Sequence, residues 1–202
     1  NKLRWHIRKT FDIKKIKVGH AGTLDPLATG LLIICTGKKT KQIEQYQAQV
    51  KTYTGTFVLG STTPSYDLET DVDATFSTAH ITEDLIHQTT AQFTGNIEQF
   101  PPLFSALKKD GKRLYEFARA GKEVSISTRN ISVDFFKITA IRGLEVDFEI
   151  QCSKGTYIRS LAHDFGKALN SGAHLSALRR TKIGAFSVDD AMSVDAFMDS
   201  LK

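Results

Sequence analysis

The stretch that decides how this sequence is interpreted is Gly19-His20-Ala21-Gly22-Thr23-Leu24-Asp25-Pro26-Leu27-Ala28-Thr29-Gly30. Three glycines within twelve residues permit tight turns and the close approach of a ligand. Asp25 precedes Pro26, and the residue before a proline is restricted towards extended backbone. The apolar run over residues 31–35 then predicts a buried strand. The pattern is typical either of a reactive carboxylate presented on a rigid loop, or of a turn in which Asp25 caps the next element.

The composition indicates a globular protein with a basic balance. A chain of 202 residues is long enough for one sizeable core, and its 41% hydrophobic content is ordinary. The net charge of +5 favours polyanionic partners. Both cysteines, Cys35 and Cys152, lie in apolar contexts, which favours a reduced, cytoplasmic protein over a disulfide scaffold. No apolar run reaches membrane-spanning length, and the first residues lack the apolar core of a secretory signal.

Hydrophobic periodicity predicts a mixture of helices and strands. Amphipathic helices are predicted over residues 1–18, with a cationic face, and over 38–49 and 82–93. Strands are predicted over 52–60, 131–141 and 144–152, the last two forming a half-buried antiparallel hairpin. A basic strand is predicted over 178–186.

Two ligand-binding motifs are suggested by the sequence and then fail. Gly37-Lys38 resembles the end of a phosphate-binding loop, but Leu32 stands where that motif requires a glycine. The acidic residues between 61 and 75 lack the glycine and the terminal glutamate of a calcium-binding loop. We therefore expect no metal site.

The segment after Pro101-Pro102 interleaves basic and aromatic side chains, namely Phe104, Lys108, Lys109, Lys112, Arg113, Tyr115, Phe117, Arg119 and Lys122. Cations neutralise phosphates and aromatic faces stack on unpaired bases, so this composition suits single-stranded or looped RNA. An ordinary amphipathic helix with Leu114, Phe117 and Ala118 in the core explains the same composition equally well.

Arg159 stands in an unusual place. It follows the glycine turn at Gly155 and falls in the first turn of a helix that is predicted to run to about Leu169. The helix dipole disfavours a cation there. The position therefore predicts a carboxylate partner for Arg159.

Residues 19–30 closely resemble the catalytic motif of the TruB family of tRNA pseudouridine-55 synthases. Three further blocks agree in order and spacing. Residues 102–121 resemble the RNA-gripping insertion of that family, residues 152–159 its second active-site motif, and residues 178–181 its third. The resemblance spans about residues 19 to 186.

This resemblance implies that the chain isomerises a uridine in the T-loop of tRNA, at position 55, to pseudouridine. The target base would be flipped out, detached at N1 and rejoined through C5. The implied fold is α+β, with a mixed, largely antiparallel central sheet flanked by helices, and the reaction requires no cofactor. We expect the T-arm stem-loop of tRNA as the partner and a monomer without an obligate protein partner. The alternative is a non-catalytic module that binds or folds tRNA.

The resemblance also implies roles for individual residues. Asp25 would be the nucleophile or charge-stabilising carboxylate, and the rigid fork of Arg159 would fix its orientation. Tyr53 would lie beneath the target base, where its ring can stack and its hydroxyl can transfer a proton; on the sequence alone it is equally a core residue of a strand. Substrate or RNA contacts are implied for His20, Tyr157, Leu178, Lys108, Lys112, Arg113 and Arg119.

Three departures from the family pattern qualify the resemblance. The N-terminal Lys-Pro-x-Gly-x-Thr-Ser segment of the family is absent, and Pro64 replaces the first acid of a Thr-Asp-Thr-x-Asp pattern. Residues 189–202 leave no room for the C-terminal RNA-binding (PUA) domain of many relatives. We therefore expect residues 1–202 to form a single catalytic domain with the insertion at about 97–128, so that this domain supplies most of the affinity for tRNA.

Overall fold

A computed structural model describes residues 2–109, 111–122 and 124–201, with only the backbone of Arg119. Its helices are α1 (Lys2–Thr10), α2 (Ile43–Ala48), α3 (Glu83–Thr89), α4 (Leu114–Arg119), α5 (Ile158–Ala168) and α6 (Val194–Asp199), with 3-10 turns at Gly37–Gln42, Thr90–Phe93 and Val188–Asp190. Its strands are β1 (Val18–His20), β2 (Thr29–Gly30), β3 (Ile34–Thr36), β4 (Lys51–Leu59), β5 (Ser61–Thr62), β6 (Ala74–Thr75), β7 (Gly95–Gln99), β8 (Lys108–Lys109), β9 (Lys112–Arg113), β10 (Arg129–Arg142), β11 (Glu145–Cys152), β12 (Ala173–Ile183) and β13 (Phe186–Ser187).

A seven-stranded sheet forms the centre of the described chain. Its order is β13-β12-β4-β11-β10-β7, with the short β2 beside β12. The neighbours along this order pair antiparallel, whereas β2 runs parallel to β12. The expected α+β class with a largely antiparallel sheet is confirmed.

The predicted hairpin over 131–152 is present as β10 and β11, which pair antiparallel from Val133↔Cys152 to Arg142↔Glu145. Its alternation buries Val146, Phe148 and Ile150. These side chains pack in one core, where the rings of Phe57 and Phe148 lie 4.3 Å apart. Helix α5 packs against β12 and contributes Phe165, which is fully buried. The core therefore fixes β4, β11 and the start of α5 relative to one another.

Several element predictions are wrong in extent. Helix α1 ends at Thr10 instead of residue 18, and Phe11 beyond it is 59% exposed. The apolar run 31–35 is not a buried strand, because only Leu31 and Cys35 are buried. Its second half belongs to β3, which pairs only with β1 in a two-stranded ribbon. Such a ribbon leaves one side of each strand open, so the alternate side chains stay exposed.

The segment expected as an insertion, residues 97–128, contains the β8–β9 hairpin and α4. Its first part is tied to α5: Ser160 donates to the Phe100 carbonyl at 2.7 Å. The Gln99 side chain bonds both the N–H and the carbonyl of Tyr157, at 2.8 and 3.0 Å. The segment therefore lies beside the N-terminus of α5. Asn1 and Lys202, the ends of the expected single domain, lie outside the described residues.

Candidate active site

A cleft of about 890 Å³ opens between four parts of the described chain. The Asp25 loop, residues 21–28, forms one wall, and the start of β4 forms the floor. Residues 104–107 and the turn 153–157 form the other walls. Four site residues implied by the family resemblance line this space, namely Asp25, Tyr53, Tyr157 and Arg159. Phe104 and Tyr115, from the basic and aromatic segment, line it as well.

The structure brings Arg159 to Asp25. The Arg159 Nη2 donates to Asp25 Oδ1 at 2.7 Å. The arginine side chain is 3% exposed and that of Asp25 is 32% exposed, so a buried cation holds a carboxylate that still faces the cleft. A charge-assisted bond of this length fixes the orientation of the acid.

Arg159 has a second acidic partner that the sequence argument did not identify. Its Nε lies 3.5 Å from Asp67 Oδ2, and the Asp67 side chain is 5% exposed. The Nη1 group donates to the carbonyls of Ser65 and Phe104 at 3.2 and 3.0 Å. The guanidinium is therefore held from three directions. The sequence did contain a signal for this partner, because Asp67 stands at the last acid of the Thr-Asp-Thr-x-Asp family pattern over residues 63–67.

The buried guanidinium of Arg180 holds the Asp25 loop at both ends. It donates from Nη2 to the Gly22 carbonyl at 3.0 Å and from Nε to the Leu31 carbonyl at 2.8 Å. Close packing at Gly30 completes the attachment, because a Cβ there would lie 2.2 Å from the Arg180 carbonyl oxygen. Gly30 also has a φ of +100°, which favours glycine. The sequence predicted only a basic strand over residues 178–186, since no local pattern marks Arg180 as the buried cation among them.

Tyr53 lies on β4, where it is 9% exposed and is the register partner of Arg180. Burial raises the pKa of Tyr53 to about 12, an effect that a hydrogen bond with the Arg180 side chain opposes. The phenol is therefore protonated at neutral pH; its oxygen accepts from Arg180, and its O–H can donate to a ligand. Tyr157 stands immediately before α5, and burial raises the pKa of its phenol as well.

The other site residues implied by the family resemblance do not line this cleft. His20 is exposed at the end of β1. Leu178 is 9% exposed and lines a small space beneath the loop, shared with Asp25 and Asp67. Exposed positions on the β8–β9 hairpin hold Lys108, Lys112 and Arg113. The side chain of Arg119 lies outside the described residues.

Three further cations line the cleft, namely Lys51, Arg129 and Lys154. Lys51 is 6% exposed and donates to the Gln47 carbonyl and, at 2.6 Å, to the Gln49 carbonyl. Burial, followed by the charge of Arg180, lowers the pKa of Lys51. Its position two residues before Tyr53 was the available signal, because alternate residues of a strand share a face.

Metal-binding and membrane-spanning features were also sought. The part of the chain that the structure describes contains no group of three His, Cys, Asp or Glu side chains able to hold a metal ion. No helix within it is long and apolar enough to span a membrane.

Comparison with known proteins identifies the relatives of this chain. Residues 8–158 match the model of the TruB family pseudouridylate synthase N-terminal domain, and residues 159–202 match that of the tRNA pseudouridylate synthase B C-terminal domain. The tRNA pseudouridine synthase B of Flavobacterium johnsoniae is 61% identical over 100% of this chain and 89% of its own. That of Phocaeicola vulgatus is 52% identical over 100% and 86%.

Two solved structures resemble the fold. A chain of a Cbf5-Nop10-Gar1 complex aligns with a TM-score of 0.70 and 31% identity over 98% of this chain. A chain of an H/ACA RNP bound to a substrate RNA aligns with a TM-score of 0.66 and 28% identity over 96%. This chain spans 49% and 46% of those two chains, or about half of each.

Proposed function

The chain belongs to the TruB family of tRNA pseudouridine synthases, and from that premise we propose that it isomerises the uridine at position 55, in the T-loop of tRNA, with Asp25 as the catalytic carboxylate. The observation that carries the proposal is the Asp25–Arg159 pair at the wall of a cleft of about 890 Å³. A space of that size is within the range of small-ligand sites and admits one extruded nucleotide.

The reaction balances without a co-reactant. The bond between N1 and the ribose C1′ breaks, a bond between C5 and C1′ forms, and the hydrogen on C5 is replaced by one on N1. Asp25 acts at this centre as the nucleophile or as the carboxylate that stabilises developing charge. Arg159 holds it at 2.7 Å, so the acid enters the reaction already oriented.

Tyr53 supports the base in this proposal. Its ring forms part of the cleft floor, and a pKa of about 12 keeps its hydroxyl protonated. The residue is therefore placed to stack on the base and to present a protonated hydroxyl to it. Tyr157 lines the same space. Leu178 supports the Asp25 loop from below.

Contacts to the tRNA outside the cleft come from exposed groups. The β8–β9 hairpin carries Lys108, Lys112 and Arg113 towards solvent, where they can neutralise phosphates of the T-arm. His20, exposed at the edge of the Asp25 loop, contacts the RNA that surrounds the extruded nucleotide. The side chain of Arg119 belongs to the same proposed surface and lies outside the described residues.

The remaining parts of the proposal concern organisation and location. The described residues act as one catalytic domain, and residues 97–128 form its RNA-binding insertion. We expect the enzyme to be a monomer, since Asp25, Tyr53 and Arg159 form the site without a residue from a second copy. A tRNA substrate supports a cytoplasmic location.

The test compares Asp25→Asn with the wild-type protein. Tritium release from an unmodified tRNA transcript that carries 5-tritiated uridine reports the loss of the C5 hydrogen. We expect Asp25→Asn to abolish release and to leave the Kd for tRNA nearly unchanged. Asp71→Asn, at an exposed position outside the cleft, is the matched control and should release tritium like the wild type.

The alternative, a non-catalytic tRNA-binding module, makes the opposite prediction. It requires that the wild-type protein bind tRNA and release no more tritium than the background, as Asp25→Asn does. Release by Asp25→Asn at the rate of an active wild type would instead overturn Asp25 as the catalytic carboxylate. A transcript with cytidine at position 55 tests the position, because release should fall to the background if that uridine is the target.

A further inference from the structure

The turn of residues 63–67 contains a strained residue that the proposed reaction does not use. Tyr66 has a φ of +64°, a left-handed conformation that a bulky side chain rarely adopts. Such residues persist only where the surrounding structure holds them, and they are frequent at functional sites. Both neighbours of Tyr66 in the chain contact Arg159. The Ser65 carbonyl accepts from its Nη1 at 3.2 Å, and Asp67 Oδ2 lies 3.5 Å from its Nε.

Hydrogen bonds hold the backbone of this turn to itself and to β12. Thr63 Oγ1 and Ser65 Oγ donate to the Asp67 carbonyl at 2.6 and 3.1 Å. The Tyr66 carbonyl accepts from the Leu175 N–H at 2.9 Å. The cation that the turn contacts belongs to α5, not to β12. The distance between turn and cation therefore depends on the contacts that join the turn to this helix.

The rings of Tyr66 and His163 form such a contact. Their centroids lie 3.9 Å apart, and their planes are 14° from parallel. His163 follows Arg159 by four residues on α5, so the two side chains lie on the same face of the helix. The helix therefore contacts the turn at two points about one helical turn apart, once through a guanidinium and once through an aromatic ring.

The face of the His163 ring is the part that meets Tyr66. The Nδ1 atom of His163 is buried, and no residue that the structure describes forms a hydrogen bond with it. Burial also lowers the pKa of His163 to about 4, so the ring is uncharged at neutral pH. An uncharged, flat ring is thus what packs on the turn. Phenylalanine offers a similar ring face without the nitrogen atoms.

We propose that the Tyr66–His163 stack is a positioning contact for the reaction. It holds the turn of residues 63–67 on the Arg159 guanidinium, which in turn orients Asp25. The inference rests on the proposed function, since it takes Asp25 as the catalytic carboxylate. The distance of 3.5 Å between Arg159 and Asp67 is longer than the 2.7 Å between Arg159 and Asp25, so the first contact is the more sensitive to the place of the turn.

The experiment compares two substitutions of the same residue. His163→Ala removes the stack, whereas His163→Phe keeps a ring in its place. His87→Ala, at an exposed position on α3, is the matched control. Steady-state tritium release gives kcat and KM for each protein. Melting temperatures establish that each variant is folded under the conditions of the assay.

We expect His163→Ala to lower kcat about tenfold, less than the roughly hundredfold cost of moving a reacting group itself by about 1 Å. The KM for RNA should stay nearly unchanged, because neither ring lines the cleft. His163→Phe should recover most of the lost kcat, and His87→Ala should match the wild type. A merely structural role for His163 would lower the melting temperature and leave kcat of the folded protein unchanged.

A double-mutant cycle tests the route through the turn. Asp67→Asn breaks the ion pair through which the stack acts on Arg159, so adding His163→Ala to this variant should lower kcat little further. Losses of kcat that multiply in the double variant would show that the two residues act independently. That result would overturn the proposal.

A measurement without turnover separates this inference from the proposed reaction. The Nε–H resonance of Arg159, assigned by its absence in Arg159→Lys, reports the surroundings of the guanidinium. We expect His163→Ala to shift this resonance and His163→Phe to leave it near the wild-type position. If the wild type releases no tritium, the proposed reaction is wrong, and the resonance alone decides whether the stack holds Arg159. An unshifted resonance in His163→Ala, or an unchanged kcat where the wild type is active, overturns the proposal.

Discussion

The Arg159 guanidinium and the Asp25 carboxylate meet at 2.7 Å across 134 residues of chain. Arg159 is the second residue of α5, whereas Asp25 lies in the loop between β1 and β2. The arginine is in turn fixed by the carbonyls of Ser65 and Phe104 and by Asp67. The position of the Asp25 carboxylate is therefore set by several segments that are distant in the sequence. A change in the donor groups of the Arg159 guanidinium is expected to move it.

Arg159→Lys should lower kcat by about a hundredfold, the cost typical of misplacing a reactive group by about 1 Å. Lysine keeps the charge but offers no planar fork that can reach Asp25 and two carbonyls together. The steady-state rate of tritium release at saturating RNA measures kcat. Arg142→Lys is the matched control, because Arg142 pairs with Glu145 and Asp147 on the exposed hairpin end. Equal kcat for Arg159→Lys and Arg142→Lys would mean that the charge alone suffices.

How much the sequence predicts depends on whether a residue carries a local signal. The β10–β11 hairpin follows from strict alternation, and the structure confirms it. Arg159 also carries a local signal, since a cation in the first turn of a helix is unusual. The sequence therefore predicts that Arg159 has a carboxylate partner, and the fold shows that this partner is Asp25.

Buried charges with distant partners carry no such signal. Asp67 lies in a loop of many acids, and Arg180 lies in a strand of basic residues, so both resemble solvated side chains. Their burial results from packing across the sheet and the loop, which no local pattern records. The apolar run 31–35 fails for the opposite reason: its composition is that of a core strand, yet its ribbon with β1 has no layer against its outer face.

Tyr53 should not ionise within the working pH range of the protein. Burial raises its pKa to about 12 from an ordinary value of 10.0. The folded state thus keeps a proton that the unfolded state loses above about pH 10, so this contribution to stability is present below pH 10 and is lost as the pH rises towards 12. Ultraviolet difference titration of wild type against Tyr53→Phe isolates the phenol. A step near pH 10 would contradict the burial argument.

The exposed hairpin should supply salt-sensitive affinity for tRNA. Lys108, Lys112 and Arg113 lie on β8 and β9. Replacing all three by alanine should reduce the slope of log Kd against log salt by about 2, at about 0.7 for each phosphate contact to unpaired RNA. Filter binding between low and moderate salt measures the slope. A triple alanine variant at Lys137, Arg142 and Lys167, which are exposed outside the cleft, should retain the wild-type slope, and an equal loss in both variants would assign the effect to net charge.

His163 should make the fold sensitive to mild acid. Its ring stacks on Tyr66, with centroids 3.9 Å apart and planes 14° from parallel. Burial lowers the pKa of His163 to about 4 from 6.5, with Lys167 adding to the shift and Asp73 opposing it. The unfolded chain therefore takes up a proton that the folded chain refuses, so stability is full above about pH 6.5 and is lost as the pH falls towards 4.

His163→Phe keeps an aromatic ring against Tyr66 and removes the titration. Urea unfolding at pH 7.5 and pH 5 should show a smaller loss of stability for this variant than for wild type, and His87→Phe, at an exposed site on α3, should behave like wild type. Asp164 beside His163 has its pKa raised by burial, but it is present in all three proteins and cancels in the comparison.

The stack matters for the active site because Tyr66, with φ +64°, directly precedes Asp67. If wild type and His163→Phe lost equal stability between the two pH values, the acid sensitivity would belong to groups other than His163.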